Sequence, residues 1–328
     1  MKATVVGIYG AYYQVRPEVT DQENKNPVIL AKPRGKLRLG KKNHAYGEPK
    51  ERHLLTIGDV VEIEQENDRH DANIIRLYPR ENSFQRATIY QKQTLGANLT
   101  AIVIILSVDL PTFNSGLLAR LLVETALSKI PPVLILNKMD FLEKSRKPEY
   151  QQTLEIVEYF KQKQNFKVYY ETFCTGISTL LRSDITSGRY LVFGESGVGK
   201  STFINQMAGK KIQATDLQEI NLKGRHITTN PVLYEMAGGI ELIDVPGIRE
   251  FGLMHRSKHE ISAGFPEFRD MVCRYDNCLH LEEPDCGVKS SMENNTLPKF
   301  RYEQYRNIMG SMLEHWKPRR GDLRNFNA

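Results

Sequence analysis

Short apolar runs broken by glycine and proline open the chain. Residues 4–9 and 11–15 flank Gly10, and similar runs follow at 28–31, at 60–63 after the Gly58-Asp59 turn, and at 74–77. Short strands with turn signals between them predict a small all-β barrel or sandwich. The texture then changes. Residues 101–108 and 133–136 are apolar runs rich in Val and Ile, broken only at Ser107; 191–193 and 240–243 are similar, the last with Glu241 inside it. Runs of this kind fit strands buried on both faces of a parallel sheet. Helical patterns lie between them at 115–127, 150–163 and 200–208, and the alternation predicts an α/β domain. Beyond 256 the pattern is helical and irregular. The chain therefore reads as three units, 1–82, 83–255 and 256–328, with no internal repeat.

Composition adds a class and a kind of partner. A length of 328 residues, with 40% apolar and 26% charged positions, is ordinary for a globular chain of two or three domains. No apolar run approaches the ~18 residues of a membrane span. Residues 1–15 carry Tyr, Gly and Gln among their apolar positions, so no leader peptide is expected. Lys and Arg total 45 against 39 Asp and Glu, a net charge of +6, which favours a polyanionic partner. The excess is local. Lys32, Arg34, Lys36, Arg38, Lys41, Lys42, Lys50 and Arg52 face only Glu48 and Glu51, and seven basic residues against three acidic ones mark the tail from Lys299. Such a run can be a solvated loop; on a small β module it also fits a surface held against phosphates. Of the four cysteines, three crowd between 273 and 286, which points to a metal in a reducing, cytoplasmic setting; Cys174 reads as a core thiol.

Residues 194–201 read Gly194-Glu195-Ser196-Gly197-Val198-Gly199-Lys200-Ser201, the pattern G-x-x-x-x-G-K-[ST] between a strand-like run and a helical one. Glycines let backbone N–H groups turn around a phosphate, and the helix N-terminus adds its positive dipole end. Lys200 would reach the β- and γ-phosphates, and the Ser201 hydroxyl, followed by Thr202, would bind Mg²⁺.

Asn137-Lys138-Met139-Asp140 follows the run 133–136. The Asp140 carboxylate can accept from both the ring N–H and the exocyclic amine of guanine, an edge that adenine lacks. Asn137 would contact the opposite edge, and the Lys138 stem would lie along the ring. Asp244-Val245-Pro246-Gly247 follows the run 240–243; Asp244 fits the acid that holds Mg²⁺, and the Gly247 N–H would sense the γ-phosphate. Gly224-Arg225-His226-Ile227-Thr228-Thr229 lies between, and either Thr228 or Thr229 could complete the Mg²⁺ shell. The order is unusual, because N-K-x-D precedes the phosphate loop, at 137 against 194. A parallel α/β sheet tolerates new termini at exposed loops, so the same sheet can form with its strands visited in rotated order.

Cys273, Cys278, His280 and Cys286 supply three thiolates and one imidazole within 14 residues, a complete tetrahedral set for one structural Zn²⁺ with no open position for catalysis.

Taken together, these motifs resemble the circularly permuted, ribosome-small-subunit-dependent GTPases (the RsgA, YjeQ or YloQ family). Arg34-Gly35-Lys36-Leu37-Arg38 and Arg249-Glu250-Phe251-Gly252 add to the likeness, which covers nearly the whole chain. The resemblance implies an N-terminal OB-fold barrel, a central permuted P-loop GTPase and a C-terminal helical zinc domain. It also implies GTP hydrolysis to GDP and phosphate, with Mg²⁺, stimulated by the small (30S) ribosomal subunit late in its maturation. The expected partners are that subunit and its 16S rRNA, contacted through Arg34, Lys36, Arg38, Lys41 and Lys42. No membrane is expected, and a cytoplasmic monomer is. This chain departs from the family pattern at Ile227, where a threonine is usual, and at Val245 in D-V-P-G. Thr172-Phe173-Cys174 stands where the base-sensing loop should be.

In Ras-like enzymes a Gln after D-x-x-G positions the attacking water; here Ile248 stands there and cannot hydrogen-bond. Slow intrinsic hydrolysis is expected, with His226 or a group of the RNA partner activating water. Three competing readings are a GTPase of the large subunit, a non-catalytic RNA-binding protein that uses nucleotide to order its fold, and a P-loop ATPase or kinase, which Asp140 argues against.

Overall fold

The structure is a computed structural model that describes residues 1–18, 28–35, 50–51, 54–65, 71–88, 91–209, 231–245 and 251–315. Strands β1 (Lys2–Tyr9), β2 (Tyr12–Pro17) and β3 (Ile29–Pro33) precede the short β4 (Lys50–Glu51); β5 (Val60–Gln65) and β6 (Asp71–Leu77) follow. The order β1-β2-β3-β6-β5 closes on itself as a barrel, with β3 and β6 parallel and every other pair antiparallel. Alternation drives it: Ala3, Val5, Val15, Ala31, Val61, Ile63, Ala72 and Ile74 point inward and are buried. A five-stranded Greek-key barrel of this kind is the OB-fold.

Strands β7 (Ser83–Ala87) and β8 (Gln91–Ala97) form an antiparallel hairpin that sequence periodicity did not suggest, because β8 is polar in its first half and carries Gly96 in its second. Tertiary contacts define it instead. The segment after residue 250 returns to this hairpin: Ala87 N–H donates to the Gly252 carbonyl at 2.9 Å, and Met254 N–H donates to the Ala87 carbonyl at 3.2 Å. A Cβ at Gly252 would lie 2.3 Å from that same Ala87 oxygen, so only glycine allows the approach. Phe251 then packs between Phe84 and Phe193, with ring centroids 5.4 and 5.6 Å away.

The central sheet has six strands in the order β11-β10-β9-β12-β14-β13: β9 (Ala101–Ser107), β10 (Pro132–Asn137), β11 (Lys167–Tyr170), β12 (Gly188–Phe193), β13 (Val232–Met236) and β14 (Ile240–Asp244). Five strands are parallel, and the edge strand β13 is antiparallel to β14. β9, at the centre, is buried along its whole length, which explains its unbroken apolar sequence from Ala101 to Leu106. Helix α1 (Ser115–Ser128) follows β9, with the Asn114 side chain accepting from Leu117 N–H at 2.9 Å as its N-cap. Four further helices belong to this unit: α2 (Asp140–Lys144), α3 (Pro148–Lys163), α4 (Thr179–Asp184) and α5 (Lys200–Met207). The predicted helices are present with ends shifted by one or two residues.

The C-terminal part holds α6 (Lys258–Ala263), opened by a Ser257–Glu260 capping box, then α7 (Gly287–Glu293) and α8 (Lys299–His315). Helix α8 packs on α1: Gln304 Nε2 donates to the Ser115 carbonyl at 3.1 Å. Buried Arg301 pairs with Glu267 at 2.7 Å and lies between the rings of Phe160 and Phe265. Among the described residues no helix is long and apolar enough to cross a membrane.

Candidate nucleotide and metal sites

The phosphate-binding motif connects the end of β12 to the start of α5, and two of its glycines are required by close approach. A Cβ at Gly194 would stand 2.6 Å from the Ile105 carbonyl oxygen. At Gly199, with φ +107°, it would stand 2.5 Å from Asn137 Nδ2. Lys200 is buried, and its Nζ donates to the Gly194 and Glu195 carbonyls at 2.7 and 3.1 Å, while Ser196, Gly197, Ser201 and Thr202 are exposed. Burial lowers the Lys200 pKa, opposed by the negative charges of Asp244 and Glu195.

Asp244 ends β14 directly beside Val192 of β12. Burial pushes its carboxyl up to about 6 despite Lys200, and its Oδ1 is buried with no hydrogen-bond partner. An unsatisfied carboxylate oxygen that feels the charge of the phosphate-loop lysine, together with the hydroxyl of the next residue, Ser201, offers hard oxygen donors of the kind that Mg²⁺ takes. The residues present therefore fit that ion.

Asn137 ends β10 and is almost fully buried. Its Nδ2 donates to the Val198 carbonyl of the phosphate loop at 2.8 Å, and its Oδ1 accepts from Phe173 N–H at 3.0 Å. One carboxamide thus ties together the phosphate loop, the N-K-x-D turn and the 172–176 loop. Around it, Lys138 (φ +64°) bonds to the Leu110 carbonyl, and Met139 N–H donates to the Glu171 carbonyl at 3.2 Å. The Glu171 carboxylate accepts from Ser178 N–H at 3.0 Å, closing the 172–176 loop, and Gln206 of α5 donates to the Phe173 carbonyl. Asp140 opens α2 with its carboxylate 2.6 Å from Lys144 Nζ. Sequence reading missed Glu171 and Gln206, which belong to no motif. It also took Cys174 for a core thiol, whereas Cys174 is exposed, because the hydrogen bond to Asn137 and the packing on Phe203 turn Phe173 inward and leave the next residue outside.

Asn137→Ala should leave the Val198 carbonyl and Phe173 N–H unsatisfied, at about 1–3 kcal/mol each. The expected result is a lower denaturant midpoint for the α/β unit together with weaker GDP binding; parental stability would show that water replaces the carboxamide.

In the C-terminal part the four predicted ligand atoms of Cys273, Cys278, His280 and Cys286 all lie within 4.8 Å of one another. Cys273 Sγ is 3.4 Å from His280 Nδ1 and 3.9 Å from Cys286 Sγ, and Cys286 Sγ is 3.5 Å from His280 Nδ1. Ligands at tetrahedral zinc sit roughly 3.5–3.8 Å apart, given Zn–S near 2.3 Å and Zn–N near 2.0 Å. A disulfide would need roughly 2.05 Å. Without a cation, burial pushes the Cys278 thiol up to about 12, a cost that a divalent metal reverses. The surrounding shell is built: the Glu283 carboxylate accepts from Leu279 and Leu281 N–H at 2.8 and 2.9 Å, and Tyr302 of α8 donates to the His280 carbonyl at 2.8 Å. These four ligands form a group able to hold a metal ion, supported from two sides.

Comparison with known proteins matches this geometry to one family. The model of the RsgA GTPase family covers residues 77–254, more than half of the chain. A small ribosomal subunit biogenesis GTPase RsgA of Actinobacillus pleuropneumoniae is 33% identical over 272 residues, covering 79% of this chain and 76% of the relative. The chain belongs to the RsgA GTPase family. It is a GTPase with circularly permuted motifs. The RsgA of Haemophilus influenzae is 31% identical over the same share of both chains. Two solved structures have this fold: YjeQ from Thermotoga maritima (TM-score 0.70, 24% identity, 96% of this chain and 99% of that one) and YloQ, a circularly permuted GTPase (TM-score 0.64, 23% identity, 97% and 96%).

Several RsgA-type candidates from the sequence, namely Gly247, His226, Thr228, Thr229, Lys36, Arg38, Lys41 and Lys42, lie outside the described residues. Arg34 is described, exposed at the end of β3, and paired with Glu64 of β5 at 2.8 Å.

Proposed function

We propose that this GTPase acts on the small ribosomal subunit during late maturation, hydrolysing GTP to GDP and phosphate when that particle stimulates it. The observation that carries the reading is the permuted guanine-nucleotide site set between an OB barrel and a Cys₃His site, in a chain whose relatives are named small ribosomal subunit biogenesis GTPases. The units taken are 1–82, 83–255 and 256–328.

The phosphate-loop residues from Gly194 to Thr202 hold the phosphates, with the Lys200 ammonium exchanging its carbonyl partners for phosphate oxygens. Asp140 selects guanine, and Asn137 and Lys138 fix the base loops. Mg²⁺, when bound with GTP, would supply positive charge that offsets the phosphate charge. Ser201 and Asp244 would hold it, joined by Thr228 or Thr229, and Gly247 reads the γ-phosphate. His226 orients or activates the water, since Ile248 cannot. The Cys₃His site takes one structural Zn²⁺: its ligands are soft, and all four positions are filled by protein. The barrel meets 16S rRNA through Arg34, Lys36, Arg38, Lys41 and Lys42, in line with the +6 net charge. The protein works as a cytoplasmic monomer.

GTP turnover measured with each ribosomal subunit tests the reading. Stimulation by the small subunit alone is expected; equal or greater stimulation by the large subunit overturns it. His226→Ala should keep GTP affinity and lower stimulated turnover about 10²-fold, the usual size of a positioning or general-base loss. A parental rate on the small subunit would pass that role to the RNA.

A further inference from the structure

The turn end of the β13–β14 hairpin carries a like-charge pair. Glu235 and Glu241 are direct cross-strand partners, an arrangement that weakens a two-stranded ribbon. One of their counter-charges comes from the other domain. Arg16 on barrel strand β2 makes ion pairs with both glutamates, and Arg189 on β12 pairs with Glu241 at 2.7 Å. Arg16 and Glu241 are each more than four-fifths buried at the domain junction, so water screens them little. Arg189 also donates to the Gly58 carbonyl of the barrel at 3.2 Å. Two arginines balance two glutamates only while the barrel is docked; without Arg16 the rung carries a net negative charge.

The other end of this ribbon is the nucleotide site. Its rungs run from Met236–Ile240 at the turn to Val232–Asp244, and Asp244 is the buried acid beside Lys200. β13 is an edge strand whose sheet partner is β14, so its position depends on those rungs and on the barrel. We infer that Arg16 is a positioning residue for the GTPase site: by neutralising the Glu235–Glu241 rung it keeps the hairpin zipped and Asp244 in place, which makes the nucleotide site sensitive to whatever engages the barrel. That the engaging partner is a ribosomal particle rests on the function proposed above; the clamp itself does not.

Amide hydrogen exchange of the full chain with bound GDP and Mg²⁺, in parent, R16A, E235Q and R16A/E235Q, tests this. R16A should exchange about tenfold or more faster over 232–244, E235Q alone should match the parent, and the double variant should return to within about threefold of it. The Mg²⁺ concentration for half-maximal GTP hydrolysis should rise in R16A and fall back in the double variant. An arginine that merely glues two domains predicts no rescue, since E235Q removes another partner. Parental exchange in R16A, or a double variant as fast as R16A, overturns the inference. Should R16A fail to fold, R16Q is measured against the same expectations. Because the measurement uses no ribosomal particle, failure of subunit stimulation in the parent counts against the proposed function and not against the clamp.

Discussion

Asp140→Asn is expected to lower GTP affinity by about 10²-fold or more and to shift preference toward xanthosine nucleotides. On the proposed base assignment the carboxylate would accept from two N–H groups of guanine; a carboxamide presents one acceptor and one donor, and that donor would face a ring N–H with nothing to receive it. Xanthine has a carbonyl where guanine has the exocyclic amine, which suits the carboxamide. The substitution also removes the partner of Lys144, whose pKa the Asp140 hydrogen bond raises. That ammonium is exposed, and water and salt screen such pairs, so its loss matters little to stability. Binding is therefore expected to change far more than thermal stability. Competition between GTP and XTP for the variant checks the direction, and unchanged GTP affinity would remove the base assignment.

Cys278→Ser is expected to abolish metal retention, with content falling from about one Zn²⁺ per chain to none, and to unfold the loop over 273–286, because metal binding and folding are coupled in small sites. The consequences for the GTPase are set by α8. Tyr302 and Tyr305 bond to the His280 and Leu279 carbonyls of the metal loop, so that face of the helix loses its support. The opposite contacts, Gln304 to Ser115 and Arg301 to Glu267 between two aromatic rings, do not involve the metal. Basal GTP hydrolysis should survive and stimulation by the small subunit should fall. Loss of both would mean that the metal supports the whole fold. Retention of both with the metal gone would dissociate the metal domain from the stimulated reaction.

The permuted motif order implies that the metal domain hangs directly from residues 244–247. The fold adds anchors in between. Phe251 and Gly252 are fixed on β7, and Arg256 bonds to buried Glu124 of α1 at 2.8 and 3.0 Å. These contacts anchor the chain at 251–256, ahead of α6. Contact between the two domains runs through α1 and α8 as well as along the chain.

Motifs and strongly periodic elements can be read from the residues alone. The phosphate loop, N-K-x-D and the Cys₃His set are legible because each needs fixed residue types at fixed spacing, and the central strands because burial on both faces leaves no polar position in Ile102–Leu106. Contacts between residues distant in the chain have no such spacing rule. It is the packing of the folded chain that makes Asn137 bridge Val198 and Phe173, Glu171 close the 172–176 loop, Cys174 face solvent and the polar strand β8 pair with β7. Arg16 is the clearest case. In the sequence it is one of 45 basic residues, and only the docking of the barrel on the sheet edge sets it between two glutamates more than 200 positions away. The burial that makes such a pairing matter is a property of the folded surface, and no local pattern encodes it.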